Sequence, residues 1–168
     1  MRSAPLLLLL LTTAVLPACR SGTDGVPSSV ADDVLRRPSA EVVGAYVTAT
    51  GPNAASLDII LALENPQGVE LPVRFGDLRL RTDAGRTPTI ETRPFVTMPP
   101  AGVATVTLQG VAKHNGQGLV GQPVTVSGSL TYEPPGELRQ MLTDTNFPLP
   151  AIGFSKTVTA EPAPSVTP

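Results

Sequence analysis

The chain of 168 residues contains one cysteine, one histidine, no tryptophan and only 4% aromatic residues. A lone Cys19 excludes an intrachain disulfide framework, and with His114 as the sole histidine the chain lacks the Cys/His clusters that hold zinc. Positive charge is scarce as well: 12 Lys and Arg stand against 14 Asp and Glu, for a net charge of −2. Ten of the cations are arginines, scattered rather than stacked, so no basic patch for nucleic acid is expected. What the chain does have is 41% hydrophobic residues, 19 prolines and 15 glycines, the composition of one compact domain with flexible ends. With the N-terminal leader removed, a chain of about 150 residues buries roughly 68–70% of its extended surface if all of it folds, enough for a core without disulfides or metal.

The only long apolar run is at the start. Met1-Arg2-Ser3 precedes six leucines, Leu6 to Leu11, and then Thr-Thr-Ala-Val-Leu-Pro-Ala-Cys. A charged start, an apolar stretch and a small-residue site form a secretory signal peptide, and Pro17 interrupts the run too early for a membrane-spanning helix. Leu16, Pro17, Ala18 and Cys19 resemble a bacterial lipobox, with leucine three before the cysteine and a small residue just before it; Pro17 is the less usual occupant. That resemblance implies cleavage after residue 18 and lipidation of Cys19, palmitate among the expected acyl groups. The thiol is then an anchor rather than a reagent. Several acyl chains hold a protein on a bilayer far better than one, at about 0.8 kcal/mol per buried CH₂. Arg20 in place of aspartate resembles the pattern of lipoproteins sent to the outer membrane, facing the periplasm, if the source is Gram-negative.

Residues 19–38 are polar and rich in Gly, Ser and Pro and read as a tether from the anchor, with a root-mean-square reach of roughly 20–25 Å. Residues 160–168 form a Pro/Ala tail without periodicity, expected to be disordered. Between them, residues 39–159 are dominated by a period of two. Leu57, Ile59, Leu61 and Leu63 alternate with Asp58, Ile60, Ala62 and Glu64, and Asn65-Pro66 ends the strand with turn chemistry. Leu71, Val73 and Phe75 are expected on one face of the next strand, with a bulge at Gly76-Asp77 where the apolar phase slips to Leu78 and Leu80. Ala104, Val106 and Leu108 mark a further strand, and Val124, Val126, Gly128, Leu130 and Tyr132 another. Residues 40–50, 88–97 and 151–159 bring the total to about seven. The predicted fold is an all-β, immunoglobulin-like antiparallel sandwich. One short helix is expected over 136–144, where Leu138, Met141 and Leu142 have helical spacing after Pro134-Pro135.

Strings that carry chemistry are few. Gly116 to Gly121, GQGLVG, matches G-x-G-x-x-G, but a strand opened by Pro123 follows where a nucleotide site needs a helix, so a glycine-rich connection is expected. His114 lacks metal partners and reads as a solvated loop residue. No G-x-S-x-G, S-x-x-K, H-E-x-x-H or P-loop string occurs, and Glu133, Glu137 and Asp144 read as solvated charges or caps. The expectation is a protein that is not an enzyme, with no cofactor besides the covalent lipid, no metal and no small-molecule substrate.

Residues 57–85, with Asn65-Pro66 closing an alternating strand and Leu71, Val73, Leu78 and Leu80 following, resemble the central signature of the type 2 late-embryogenesis-abundant (LEA) proteins and their water-stress (WHy) domain. Residues 123–133, PVTVSGSLTYE, resemble the later strand of that family, and the likeness spans about residues 40–159. Gln67 departs from the second asparagine common in the family, and 134–150 has no counterpart in it. The resemblance implies a sandwich of immunoglobulin type and a non-catalytic role in stress or desiccation tolerance. Two functions are therefore expected for a cell-envelope lipoprotein held to the membrane by its lipid. One is stress protection or envelope maintenance; the other is a structural adaptor presenting a surface to an envelope protein partner. Leu138, Met141, Leu142 and Phe147 are the candidate contact patch, but the favoured expectation is that the helix packs over one end of the sheets and these side chains form a lid burying the open end of the core, which would remove the patch.

Overall fold

A computed structural model describes residues 37–164; the expected signal peptide, the lipobox-like Leu16–Cys19 and most of the expected tether lie outside the described residues. The chain forms β1 (Ser39–Thr50), β2 (Ala54–Asn65), β3 (Leu71–Thr82), β4 (Gly85–Arg86), β5 (Ile90–Thr92), β6 (Val96–Met98), β7 (Gly102–Lys113), β8 (Pro123–Tyr132), α1 (Gly136–Asp144) and β9 (Ala151–Pro162). Seven strands run in the order β4-β3-β8-β9-β1-β2-β7, and β5 and β6 pair with the outer side of β3. The fold is all-β with one short helix, and its two antiparallel layers join into a single curled sheet through β9.

The joining seam corrects the purely antiparallel expectation. Ala45–Val47 of β1 pairs in parallel with Ala160–Pro162 of β9. Both strands start from the same end of the molecule, and four residues earlier in the same register an ion pair of 2.6 Å from Lys156 Nζ to Glu41 Oε1 links them. The Lys156 hydrogen bond, with its positive charge, holds the Glu41 carboxyl below the usual carboxylate range. β9 also takes in residues 160–162, read from the sequence as tail: Ala160 is buried and exchanges backbone hydrogen bonds with Gly121 and Gln122.

Alternation becomes burial along β2, where Leu57, Ile59, Leu61 and Leu63 are all buried. Each such side chain contributes about 1.5–3 kcal/mol through removal from water. The curl brings β7 across to β3, so that a Cβ at Gly110 would lie 2.7 Å from Leu80 Cδ1 and 3.0 Å from Leu78 Cδ2. Thr82 Oγ1 donates to Lys113 O at 2.7 Å and fastens the same two strands at their ends.

The phase slip in β3 is real but sits earlier than Gly76. The register against β8 shifts between Val73 and Phe75, so Arg74 is the extra residue. As a result Phe75 faces solvent, 51% exposed, instead of sharing the inward face of Leu71 and Val73. Residues 88–97 divide into β5 and β6, because Pro94 has no N–H to extend the ladder along β3. β4 was not foreseen: two residues are too few to show a period.

Strand directions define two ends. The β1 start, the 66–70 and 99–101 turns and the 133–150 insertion lie at one, called proximal; the 51–53, 83–84 and 114–122 connections and the end of β9 lie at the other, called distal.

Candidate functional site

The proximal end is organised by Asn65. It is wholly buried, the last inward residue of β2. Its Nδ2 donates to Val69 O at 2.7 Å and to Pro99 O at 2.9 Å, while Oδ1 accepts from Gln67 N at 3.0 Å. An asparagine here satisfies the backbone of two turns at once, and Pro66 starts the first of them with a fixed φ.

The 133–150 insertion rises between β8 and β9. Tyr132 N donates to Pro150 O at 3.1 Å and Glu133 N to Pro72 O at 2.9 Å, which pins its two limbs to the barrel. Pro135, extended at φ −75° and ψ 158°, is the N-cap of α1 and has no side chain to cap with; Glu137 places negative charge in the first turn. The helix ends in a Schellman arrangement, with Phe147 N donating to Leu142 O at 2.9 Å, Asn146 N to Thr143 O at 3.2 Å and Asn146 left-handed at φ 52°. Glu133 is not a free solvated charge: it accepts Arg74 Nε at 3.2 Å and Arg139 Nη1 at 3.5 Å, linking the β3 bulge to the helix.

No residue of α1 is buried. Leu138 is 47%, Met141 54% and Phe147 67% exposed, and Leu142 is half-buried. The helix therefore does not close the core as a lid. It stands off the barrel and leaves an apolar hollow of about 750 Å³ lined by Val69, Tyr132, Leu138, Leu142 and four prolines, Pro134, Pro135, Pro148 and Pro150, with Gln67 and Gly68 at its margin. That size falls within the roughly 300–1,000 Å³ of ligand pockets. Burial raises the Tyr132 phenol above its ordinary pKa, and the charge of Arg37, the first described residue, opposes the rise.

The structure thus brings Gln67, Gly68 and Val69, just after the Asn65-Pro66 turn, and the Leu138/Leu142 half of the candidate patch to one hollow, while Asn65, Pro66, Met141 and Phe147 lie outside its lining. Tyr132 and the four prolines were not singled out from the sequence as site residues; the density of proline on both sides of a short helix was the available signal. Lipobox residues Leu16, Pro17, Ala18 and Cys19 lie outside the described residues.

The distal end is polar and differently built. His114 is buried rather than solvated: Nδ1 accepts from Gly116 N at 3.1 Å and Nε2 meets Gly51 O at 3.1 Å, so the neutral ring carries its proton on Nε2 and staples two connections. Gly116, Gly118 and Gly121 each adopt positive φ in a connection that leads into β8, not a helix. Among the described residues no group of three His, Cys, Asp or Glu side chains is placed to hold a metal ion.

Neither a family model nor a curated protein matches the chain. Among solved structures, the solution structure of a protein assigned to the late embryogenesis abundant (LEA) class superposes with a TM-score of 0.54 over 81% of this chain and 84% of that one, at 11% identity. The fold is LEA-like. At that identity the likeness concerns the fold alone.

Proposed function

We propose that this is a lipid-anchored, non-catalytic protein of the cell envelope that works through a surface in stress or desiccation tolerance or envelope maintenance. The observation that carries the reading is an exposed helix standing over an apolar hollow, on a scaffold to whose core that helix adds nothing. An exposed apolar patch of this kind marks a contact surface. The LEA-like fold supports a protective role, and the lipobox pattern ending at Cys19 supports the anchor. The exposure of Leu138 and Met141 also favours the second reading, a structural adaptor offering a face to an envelope protein partner.

The test is made in cells. Wild-type protein is expected to incorporate labelled palmitate and fractionate with membranes, and to restore survival on drying to a strain lacking it. Cys19→Ser is expected to do none of the three. Equal survival with and without the protein, on drying and under envelope stress, contradicts the protective reading; cross-linking of the anchored protein to one specific partner then establishes the adaptor.

A further inference from the structure

We infer that the proximal end of the barrel, led by the exposed flank of α1, seats on the surface of the bilayer that holds the Cys19 lipid. This orientation rests on the lipid-anchored reading and adds to it which face meets the membrane.

Apolar exposure is distributed unevenly along the barrel. Phe75, Phe95, Leu138, Met141 and Phe147 are 47–85% exposed, and all belong to the half that contains the 66–70 turn, the start of β3 and the α1 insertion. In the distal half, among the described residues, the exposed large apolar side chains are Val111 and Val120 alone. The hollows there are lined instead by charged and polar groups such as Arg81, Asp83, Arg86 and Gln117.

The tether also joins at the apolar end. Ser39 opens β1 opposite Glu64, next to Asn65, and Arg37 lies near enough to Tyr132 for its charge to act on the phenol in the wall of the hollow. Cys19 and Arg37 lie eighteen positions apart in the sequence, and a Gly/Ser/Pro-rich linker of that length has a root-mean-square reach of roughly 20–25 Å. The chain enters the barrel at its proximal end, and the distal end lies a further strand length away, about 35 Å for strands of this length.

The helix presents an apolar stripe at the proximal end. Leu138, Met141 and Leu142 fall at i, i+3 and i+4 on one stripe, and Phe147 follows the Schellman turn. Its charges, Glu137, Arg139 and Asp144, do not sum to a basic face, so attachment is apolar and insensitive to salt. A protein partner, by contrast, would have to compete with a bilayer tethered alongside the same surface. The polar distal end remains free for such a partner.

The test uses the mature, acylated protein in phosphatidylcholine/phosphatidylglycerol vesicles. Acylation consumes Cys19, so Met141→Cys carries a single environment-sensitive fluorophore, and Gln117→Cys labels the distal end as reference. We expect several-fold brighter, blue-shifted emission at position 141, strong quenching by nitroxide-labelled lipid, unchanged signals in high salt, and neither brightening nor quenching at 117. Leu138→Asp with the label on Phe147→Cys is expected to abolish the quenching, with circular dichroism verifying the fold. A label at 141 that stays water-exposed while the protein floats with the vesicles overturns the orientation and leaves the anchor standing. Equal quenching at 141 and 117 overturns it too, as does shielding of 141 that appears only when envelope proteins share the vesicles, which assigns the surface to a protein partner. Failure to float with vesicles refutes the anchor itself.

Discussion

Asn65 shows how one side chain fixes the geometry of a surface. Its amide supplies both donors to carbonyls of Val69 and Pro99, so Asn65→Ala leaves both carbonyls without their donor and is expected to cost about 1–3 kcal/mol in denaturant unfolding. Asn65→Asp is expected to cost more, because a carboxylate has nothing to donate to two carbonyls. Tyr132 supplies a second readout. Its folded state binds the phenolic proton more tightly than the unfolded chain does, so its contribution to stability is complete below the ordinary phenol pKa of about 10 and is lost as pH rises through the folded value. Alkaline difference spectra are expected to show a tyrosine titrating late, Tyr132→Phe is expected to remove that step, and a single unshifted titration would contradict the burial. Of these residues the sequence marked Asn65, because Asn-Pro after an alternating strand has local meaning. It misread His114 and Phe75, whose environments depend on a remote carbonyl, Gly51 O, and on a one-residue shift against β8.

Among the elements, β2, β7 and β8 were readable as alternation, since each has one face in the core and a regular partner. The division of 88–97, the two-residue β4 and the parallel seam of β1 with β9 were not: they depend on where the curled sheet meets itself, which no local period encodes. The glycine in β8 is a test at this scale. β8 runs between β3 and β9, and a Cβ on Gly128 would collide with Asp77 O of the neighbouring backbone and sit 2.7 Å from Phe154 Cζ. Gly128→Ala is therefore expected to destabilise by about 1–3 kcal/mol through overpacking, measured as a lowered Tm. α1 should behave in the opposite way. Leu138→Ser with Met141→Ser replaces no buried residue, so stability is expected to change by no more than about 0.5 kcal/mol per site. A larger loss would mean that the helix belongs to the core after all.

For the whole molecule, the barrel has unlike ends: an apolar, proline-framed hollow at the end where β1 begins, and a polar end stapled by His114. The fold class was legible from composition and period, while the expected domain end at 159 fell short of β9, which runs to Pro162; the hollow was not legible, because it is formed by two segments, 67–69 and 132–150, that only the curled sheet brings together. A protective role through surface contact, without catalysis, is the central claim. Its most direct measurement is the recovery of a labile enzyme after drying and rehydration with the mature protein, against an equal mass of an unrelated β-sandwich. Recovery well above that control, reduced by Leu138→Ser with Met141→Ser, is the predicted result; recovery no better than the control contradicts the account.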